Sequence, residues 1–178
     1  MILNFAFLFL TQATVVSGAA NETWPMNLEV YGRGMFVLQN SKGDSFYSTE
    51  GEFSVLPGTA ITMKNGEYTL LGFASDGLGG LTSTLTPISV PVWATAISIN
   101  DFGELKALAG TQSEPLATIP LALVDDDLQA GGLGFMKVAV GLYQVCNMVA
   151  GASIGLPGTG TRGEIYSLGN GFFCSLPK

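Results

Sequence analysis

Histidine is missing from this 178-residue sequence, cysteine occurs only twice, and only 12% of the residues are charged. Without histidine the chain lacks the commonest general base, the usual ligand of zinc and non-haem iron, and every serine–histidine or cysteine–histidine nucleophile pair. Two cysteines cannot complete a four-ligand zinc site unless carboxylates help. We therefore expect a protein that is not an enzyme and that binds no cofactor and no metal.

Basic residues are few and scattered, which bears on the partners of the protein. The chain has 7 lysines and arginines against 14 acids, a formal net charge of −7 and a pI near 4.3. Nucleic-acid binding relies on clustered basic side chains, so we expect no nucleic-acid partner. The charged fraction is about half of the roughly 25% usual in a soluble domain. Such a composition is typical of a surface that meets other subunits, a membrane or a partner.

Residues 1–23 begin with the most hydrophobic stretch of the chain, and two interpretations of it stay open. An apolar block followed by the small residues Ser17, Gly18 and Ala19 is the layout of a cleaved secretory signal. The alternation of phenylalanine with other apolar residues instead indicates an extended arm, which can add a strand to a neighbouring subunit. We favour the arm, because no lysine or arginine precedes Arg33 to form the basic start of a signal. The interface residues of that arm are expected to be Ile2, Phe5, Phe7, Phe9 and Leu10.

Residues 24–178 carry the signals of one β-rich domain. Alternating segments such as "LEVYGRGMFVLQN" are separated by turn residues, including Asn65-Gly66, the strongest short hairpin signal, and Asp101–Gly103. The 24 glycines suit frequent tight turns. Segments Glu104–Ala109 and Leu121–Leu128 are short candidate helices without a clear apolar stripe, and Pro91 is expected at the start or edge of a strand. The sequence predicts an all-β, mainly antiparallel fold, a small barrel or sandwich with an extended N-terminal arm.

Four features of the sequence are candidate chemical sites, and for each we favour a structural interpretation. Asp125–Asp127 do not match a calcium loop, because the sixth and twelfth positions are Ala130 and Met136, so we expect a solvated loop. The glycine-rich segment 155–163 lacks the lysine of a phosphate loop and is expected to be a flexible loop tip. Sequence alone cannot pair the glutamates at positions 29, 50, 52, 67 and 104 for glycosidase chemistry. Trp24 and Trp93, together with the phenylalanines, are expected in the core or at an interface rather than in a sugar platform.

Cys146 and Cys174 allow two states that the sequence does not separate. They form one disulfide in an oxidising compartment, or they remain buried thiols in a reducing one.

The segment "FGELKALAGTQSEPLATIPLALVDDDLQAGGLGFMKVAVGLYQV" resembles the capsid decoration and head-fibre proteins of tailed phages. In that family a hydrophobic phrase that ends in Ala-Gly-Gly is followed by a strand. Leu121–Asp126 and Ala130–Gly132 correspond to the phrase, Val138–Gly141 is expected to continue the strand, and the similarity covers roughly residues 56–145. The resemblance implies a small β-barrel-like or tulip-like domain without catalytic residues, which caps contacts between major capsid subunits, often as a trimer. Its partners would be capsid protein or copies of itself, and its place would be the virion surface.

The alternative is a secreted β-sandwich subunit of a surface fibre or pilus. In that case the N-terminal segment is removed as a signal and Cys146 and Cys174 are bonded. A secreted hydrolase that uses carboxylates alone has no positive support in the sequence.

Overall fold

The computed structural model describes residues 14–17, 22–123, 135–145 and 153–167. In these ranges the chain forms only β-strands, without a helix, and every strand pairing is antiparallel, which confirms the predicted all-β class. The strands are β1 (Thr14–Ser17), β2 (Trp24–Tyr31), β3 (Met35–Asn40), β4 (Ser45–Ser48), β5 (Glu52–Val55), β6 (Thr62–Met63), β7 (Tyr68–Ser75), β8 (Leu81–Pro87), β9 (Ala96–Ile99), β10 (Glu104–Ala109), β11 (Gln112–Thr118), β12 (Leu121–Leu123), β13 (Phe135–Ala139), β14 (Leu142–Val145), β15 (Ser153–Gly155) and β16 (Glu164–Ser167).

Two sheets share strand β7. The first runs β1-β9-β10-β11-β7-β8, and the second runs β13-β14-β4-β3-β7-β6-β5-β2-β16. In the second sheet β12 also pairs with β3, and β15 pairs with β12. Strand β7 serves both because Leu70 pairs with Leu38 of β3, whereas Phe73 pairs with Thr118 of β11. The path between β1 and β13 does not close among the described strands. Of the two predicted architectures, these strands therefore form a sandwich and not a barrel.

The core lies between these sheets and follows the period-2 alternation of their strands. In β2, Trp24, Met26 and Leu28 are buried and the residues between them are not. In β10, buried Leu105 and Ala107 alternate with exposed Glu104 and Lys106. These side chains belong to one continuous cluster. Each fully buried large apolar side chain contributes about 1.5–3 kcal/mol relative to exposure, so the cluster holds the two sheets together.

The predicted tight turns are present. Met63 accepts a hydrogen bond from Gly66 N–H at 2.8 Å, and the positive φ of Gly66, 75°, is one that other residues rarely adopt. Asn65 Oδ1 accepts from the Glu67 N–H at 3.1 Å. Asn100 Oδ1 accepts from the N–H groups of Phe102 and Glu104 and so closes the turn between β9 and β10. The predicted turns at Asn65-Gly66 and at Asp101–Gly103 are therefore confirmed.

Three local expectations need correction. Both short candidate helices are strands where the structure describes them, since Glu104–Ala109 is β10 and Leu121–Leu123 is β12. Pro91 begins or edges no strand; its carbonyl accepts from the Ala94 N–H at 3.1 Å in the turn that leads towards β9. The segment Val138–Gly141, expected to continue one strand, bends into the β13–β14 hairpin instead.

Candidate interaction surfaces

Ten of the residues that the sequence singled out lie outside the described residues. These are the arm residues Ile2, Phe5, Phe7, Phe9 and Leu10, the cysteines Cys146 and Cys174, and the acids Asp125–Asp127. Within the expected arm, Thr14–Ser17 form β1, which pairs with β9 of the same chain, Val16 opposite Ile97. This part of the N-terminal segment therefore belongs to the first sheet.

Three of the five candidate glutamates are held by separate local partners. Glu52 forms an exposed ion pair with Lys64 at 3.0 Å. Glu67 accepts from the Asn65 side chain at 3.2 Å, and Glu104 accepts from the Asn100 side chain at 2.7 Å. Across the described residues, no group of three or more histidine, cysteine, aspartate or glutamate side chains is arranged to hold a metal ion.

Asp101 and Glu164 are two carboxylates, both among the described residues, that repel each other. Burial raises the pKa of Asp101, and the negative charge of Glu164 raises it further. The backbone brings them together, because the Asp101 carbonyl accepts a hydrogen bond at 3.0 Å from the N–H of Ile165, the residue after Glu164. Tyr166 donates its hydroxyl to Glu164 Oε2 at 2.8 Å, which helps to fix that carboxylate. The pair places like charges at the junction of the β9–β10 turn with β16, so its main effect is on stability.

Arg162 gives the glycine-rich loop a role that the sequence analysis missed. Its Nε donates to the carbonyl of Leu121 at 3.2 Å, and its Nη2 donates to the carbonyl and hydroxyl oxygens of Ser153 at 3.1 and 2.7 Å. The loop was expected to be a flexible tip. Its guanidinium in fact joins the loop to Leu121 of β12 and Ser153 of β15.

The tryptophans behave as the sequence predicted. Trp24 is buried in the core, and Trp93 is partly buried against the same cluster. Among the described residues Tyr31 and Phe102 are exposed, and the ring of Tyr31 lies 6.1 Å from that of Tyr166, centroid to centroid, in an edge-to-face arrangement.

The β13–β14 hairpin exposes large apolar side chains. Met136, Val138 and Val140 are 52%, 43% and 76% exposed. The hairpin is anchored because Leu142 is buried and because the Gly141 carbonyl accepts from the N–H of Thr49 at 2.9 Å. These three side chains, with Lys137 between the first two, are called the hairpin surface below. An apolar surface on an anchored element is typical of a site that contacts a partner.

A second surface follows from the distribution of charge. The whole segment from Gly77 to Asn100 contains no charged residue, yet much of it is exposed. All residues of β8 except Leu85 are exposed, and Leu78 and Val92 on either side of the strand are 93% and 80% exposed. We call Leu78, Leu81–Pro87 and Val92 the β8 surface. Among the described residues, β8 pairs with β7 alone, so it lies at the edge of the first sheet.

The described part of the chain includes no helix long and apolar enough to cross a membrane.

No protein-family model and no curated protein matches this chain.

Proposed function

We propose that the protein is a non-enzymatic structural subunit of a virion surface, which stabilises the capsid by binding between other structural subunits. The observation that carries this proposal is the hairpin surface. Its three apolar side chains are held out from the body on an anchored hairpin, where a monomer gains nothing from them.

The hairpin surface supports contact through side chains. Burial of apolar area contributes roughly 25 cal/mol per Å² before the costs of ordering are subtracted, so three large side chains can make a useful contact. Backbone pairing is less suited to this edge. Lys137 lies on this edge strand, and a lysine on an edge strand discourages the addition of a further strand.

The place on a virion rests on the sequence resemblance to tailed-phage decoration and head-fibre proteins, and the all-β fold agrees with it. The scarcity of charge supports extensive contact with other subunits. The partners in this proposal are the major capsid protein and further copies of the chain.

Lys137 provides the test, because it lies in β13 between Met136 and Val138, and a partner that covers the hairpin should slow the reaction of its amine. Particles pelleted from the natural source are treated with an amine-reactive cross-linker and digested, and the linked peptides are identified by mass spectrometry. We expect Lys137 to be linked to a different polypeptide and to react more slowly in particles than in the isolated chain. Lys42, exposed in the turn between β3 and β4, is the matched control and should react equally in both.

Two results would overturn the proposal. The first is absence of the chain from the particle fraction. The second is a Lys137 that reacts like Lys42 in the particles and links to no other polypeptide. The intact mass of the same material separates the virion subunit from the secreted alternative. A chain that has lost its N-terminal segment and carries an oxidised Cys146–Cys174 pair would identify a secreted fibre or surface subunit instead.

A further inference from the structure

We infer that the β8 surface is the contact between two copies of this chain, arranged about a two-fold axis that passes near Thr84. The inference deepens the proposed function, because it assigns the self-contact of the subunit to a different surface from the hairpin.

The first argument is that β8 is largely exposed and yet contains no charged residue. Leu81, Thr82, Ser83, Thr84 and Thr86 are exposed, and no lysine, arginine, aspartate or glutamate accompanies them within the strand. Charged side chains are the ordinary means by which proteins keep a sheet edge soluble and unpaired. β13 follows that rule with Lys137, and β8 does not. The edge residues of β8 are therefore suited to being covered.

The second argument identifies the occupant. Each copy carries a net charge of −7, so two copies repel unless they meet through a surface that lacks carboxylates. A basic partner would gain nothing from an uncharged strand. A lipid surface would leave the hydroxyls of Ser83 and Thr84 and the outer backbone groups of the strand without hydrogen-bond partners. A second β8 supplies hydroxyls, backbone groups and leucines of the same kind, and threonine–threonine pairs across strands are favourable.

The third argument fixes the arrangement. In an antiparallel contact between two β8 strands, the Leu81 end of one copy lies beside the Pro87 end of the other. The nearest carboxylate in sequence, Asp76, precedes the Leu81 end, so the two Asp76 groups fall at opposite ends of the contact and repel little. Pro87 and Pro91 lack N–H groups, which ends backbone pairing beyond Thr86 and limits the contact to one strand length. Such a self-complementary contact closes as a dimer.

Charge complementation tests the inference on the full chain. Thr84→Lys and Thr84→Glu are prepared separately, and sedimentation velocity is measured for each variant alone and for an equimolar mixture. Thr84 is exposed, so neither change should affect folding. Like charges at the axis should raise the dimer dissociation constant of each single variant at least about tenfold. Opposite charges in the mixture should restore a dimer close to that of the wild type.

The matched control uses Thr111, which is exposed in the turn between β10 and β11. Thr111→Lys and Thr111→Glu should sediment like the wild type, alone and mixed. The inference is overturned if the wild type stays monomeric over the concentration range, if the Thr84 variants sediment unchanged, or if the mixture fails to restore the dimer. None of these outcomes alters the cross-linking of Lys137 to a different polypeptide, so the two proposals fail separately.

Discussion

The guanidinium of Arg162 lies directly against the backbone of Gly155, so that a Cβ added at Gly155 would lie 2.7 Å from Arg162 Cζ. Gly155 is the last residue of β15, and Arg162 is part of the loop that follows it. The absence of a side chain at Gly155 is what lets the guanidinium reach the carbonyl of Leu121 and both oxygens of Ser153. The loop, β12 and β15 are joined through this contact.

Gly155→Ala should therefore destabilise the protein by about 2 kcal/mol, because the guanidinium must move and its charged hydrogen bonds are weakened. Arg162→Met should cost a similar amount, since it removes the same bonds but keeps an unbranched side chain of comparable length. Urea denaturation measures both changes. Ser153→Ala removes only the hydroxyl acceptor and should cost less. The double variant Gly155→Ala/Arg162→Met should cost about as much as either single change, and additive costs would show that the two residues are not coupled.

Local signals in the sequence predicted the strands and turns that depend on neighbouring residues. The alternation of Trp24, Met26 and Leu28 marks the buried face of β2, and Asn65-Gly66 marks the hairpin between β6 and β7. Both patterns depend on residues that are close together in the chain, so the amino-acid sequence alone is enough to predict these elements.

These local patterns could not predict the order of the strands in the sheets. β2 and β3 are consecutive, but they do not pair: β2 lies between β5 and β16, and β3 lies between β4 and β7, with β12 beside its first residues. Except for β4, which follows β3 through a short turn, these partners are distant in sequence and are selected by the burial of whole faces, which no single segment reveals. The interaction surfaces were unpredictable for a related reason. Val138 and Leu142 are both apolar, and only the packed structure shows that the first is exposed and the second is buried.

Gly51 occupies a position where steric contact, and not backbone conformation, requires glycine. An added Cβ would overlap the carbonyl oxygen of Leu28 and would lie 2.9 Å from Phe36 Cε2. The same glycine accepts a hydrogen bond from the Leu28 N–H at 2.9 Å, so the backbones cannot separate without losing it. Gly51→Ala should destabilise the fold by about 3 kcal/mol, the upper end of the usual cost of overpacking.

Gly66→Ala is the matched comparison for Gly51→Ala. Gly66 has a φ of +75° and nothing within 4 Å of an added Cβ, so its substitution costs only backbone strain, about 1 kcal/mol. Equilibrium denaturation in urea gives both values. A Gly51→Ala cost equal to or below that of Gly66→Ala would contradict the close approach of Leu28 to Gly51.

Asp76 closes the turn between β7 and β8 and makes it sensitive to acid. Its Oδ1 accepts from the N–H groups of Leu78 and Gly80, both at 2.8 Å, and these bonds lower the pKa of Asp76 below its ordinary value. A lowered folded-state pKa means that the contribution to stability is present above the unfolded-state pKa and is lost as the pH falls through the folded-state pKa. The unfolding free energies of the wild type and Asp76→Ala should therefore differ most at neutral pH and converge in strong acid. A difference that stays constant over the titration would show that the hydrogen bonds do not depend on the charge.

Asp101 should give the opposite pH dependence. Burial and the charge of Glu164 raise its pKa in the folded state, so the folded protein binds this proton more tightly than the unfolded chain does. The contribution to stability is therefore full below the unfolded-state pKa and is lost as the pH rises through the folded-state pKa. At neutral pH the ionised Asp101 opposes folding, and Asp101→Asn should raise the melting temperature there. In acid the advantage of the variant should disappear, because the wild-type carboxyl is then protonated as well.

Glu164→Gln removes the charge of Glu164 but leaves Asp101 buried, so it should raise the melting temperature less than Asp101→Asn does at neutral pH. An Asp101→Asn variant that melts at or below the wild-type temperature at neutral pH would show that the carboxylate has a favourable partner there, and that its repulsion from Glu164 does not govern this junction.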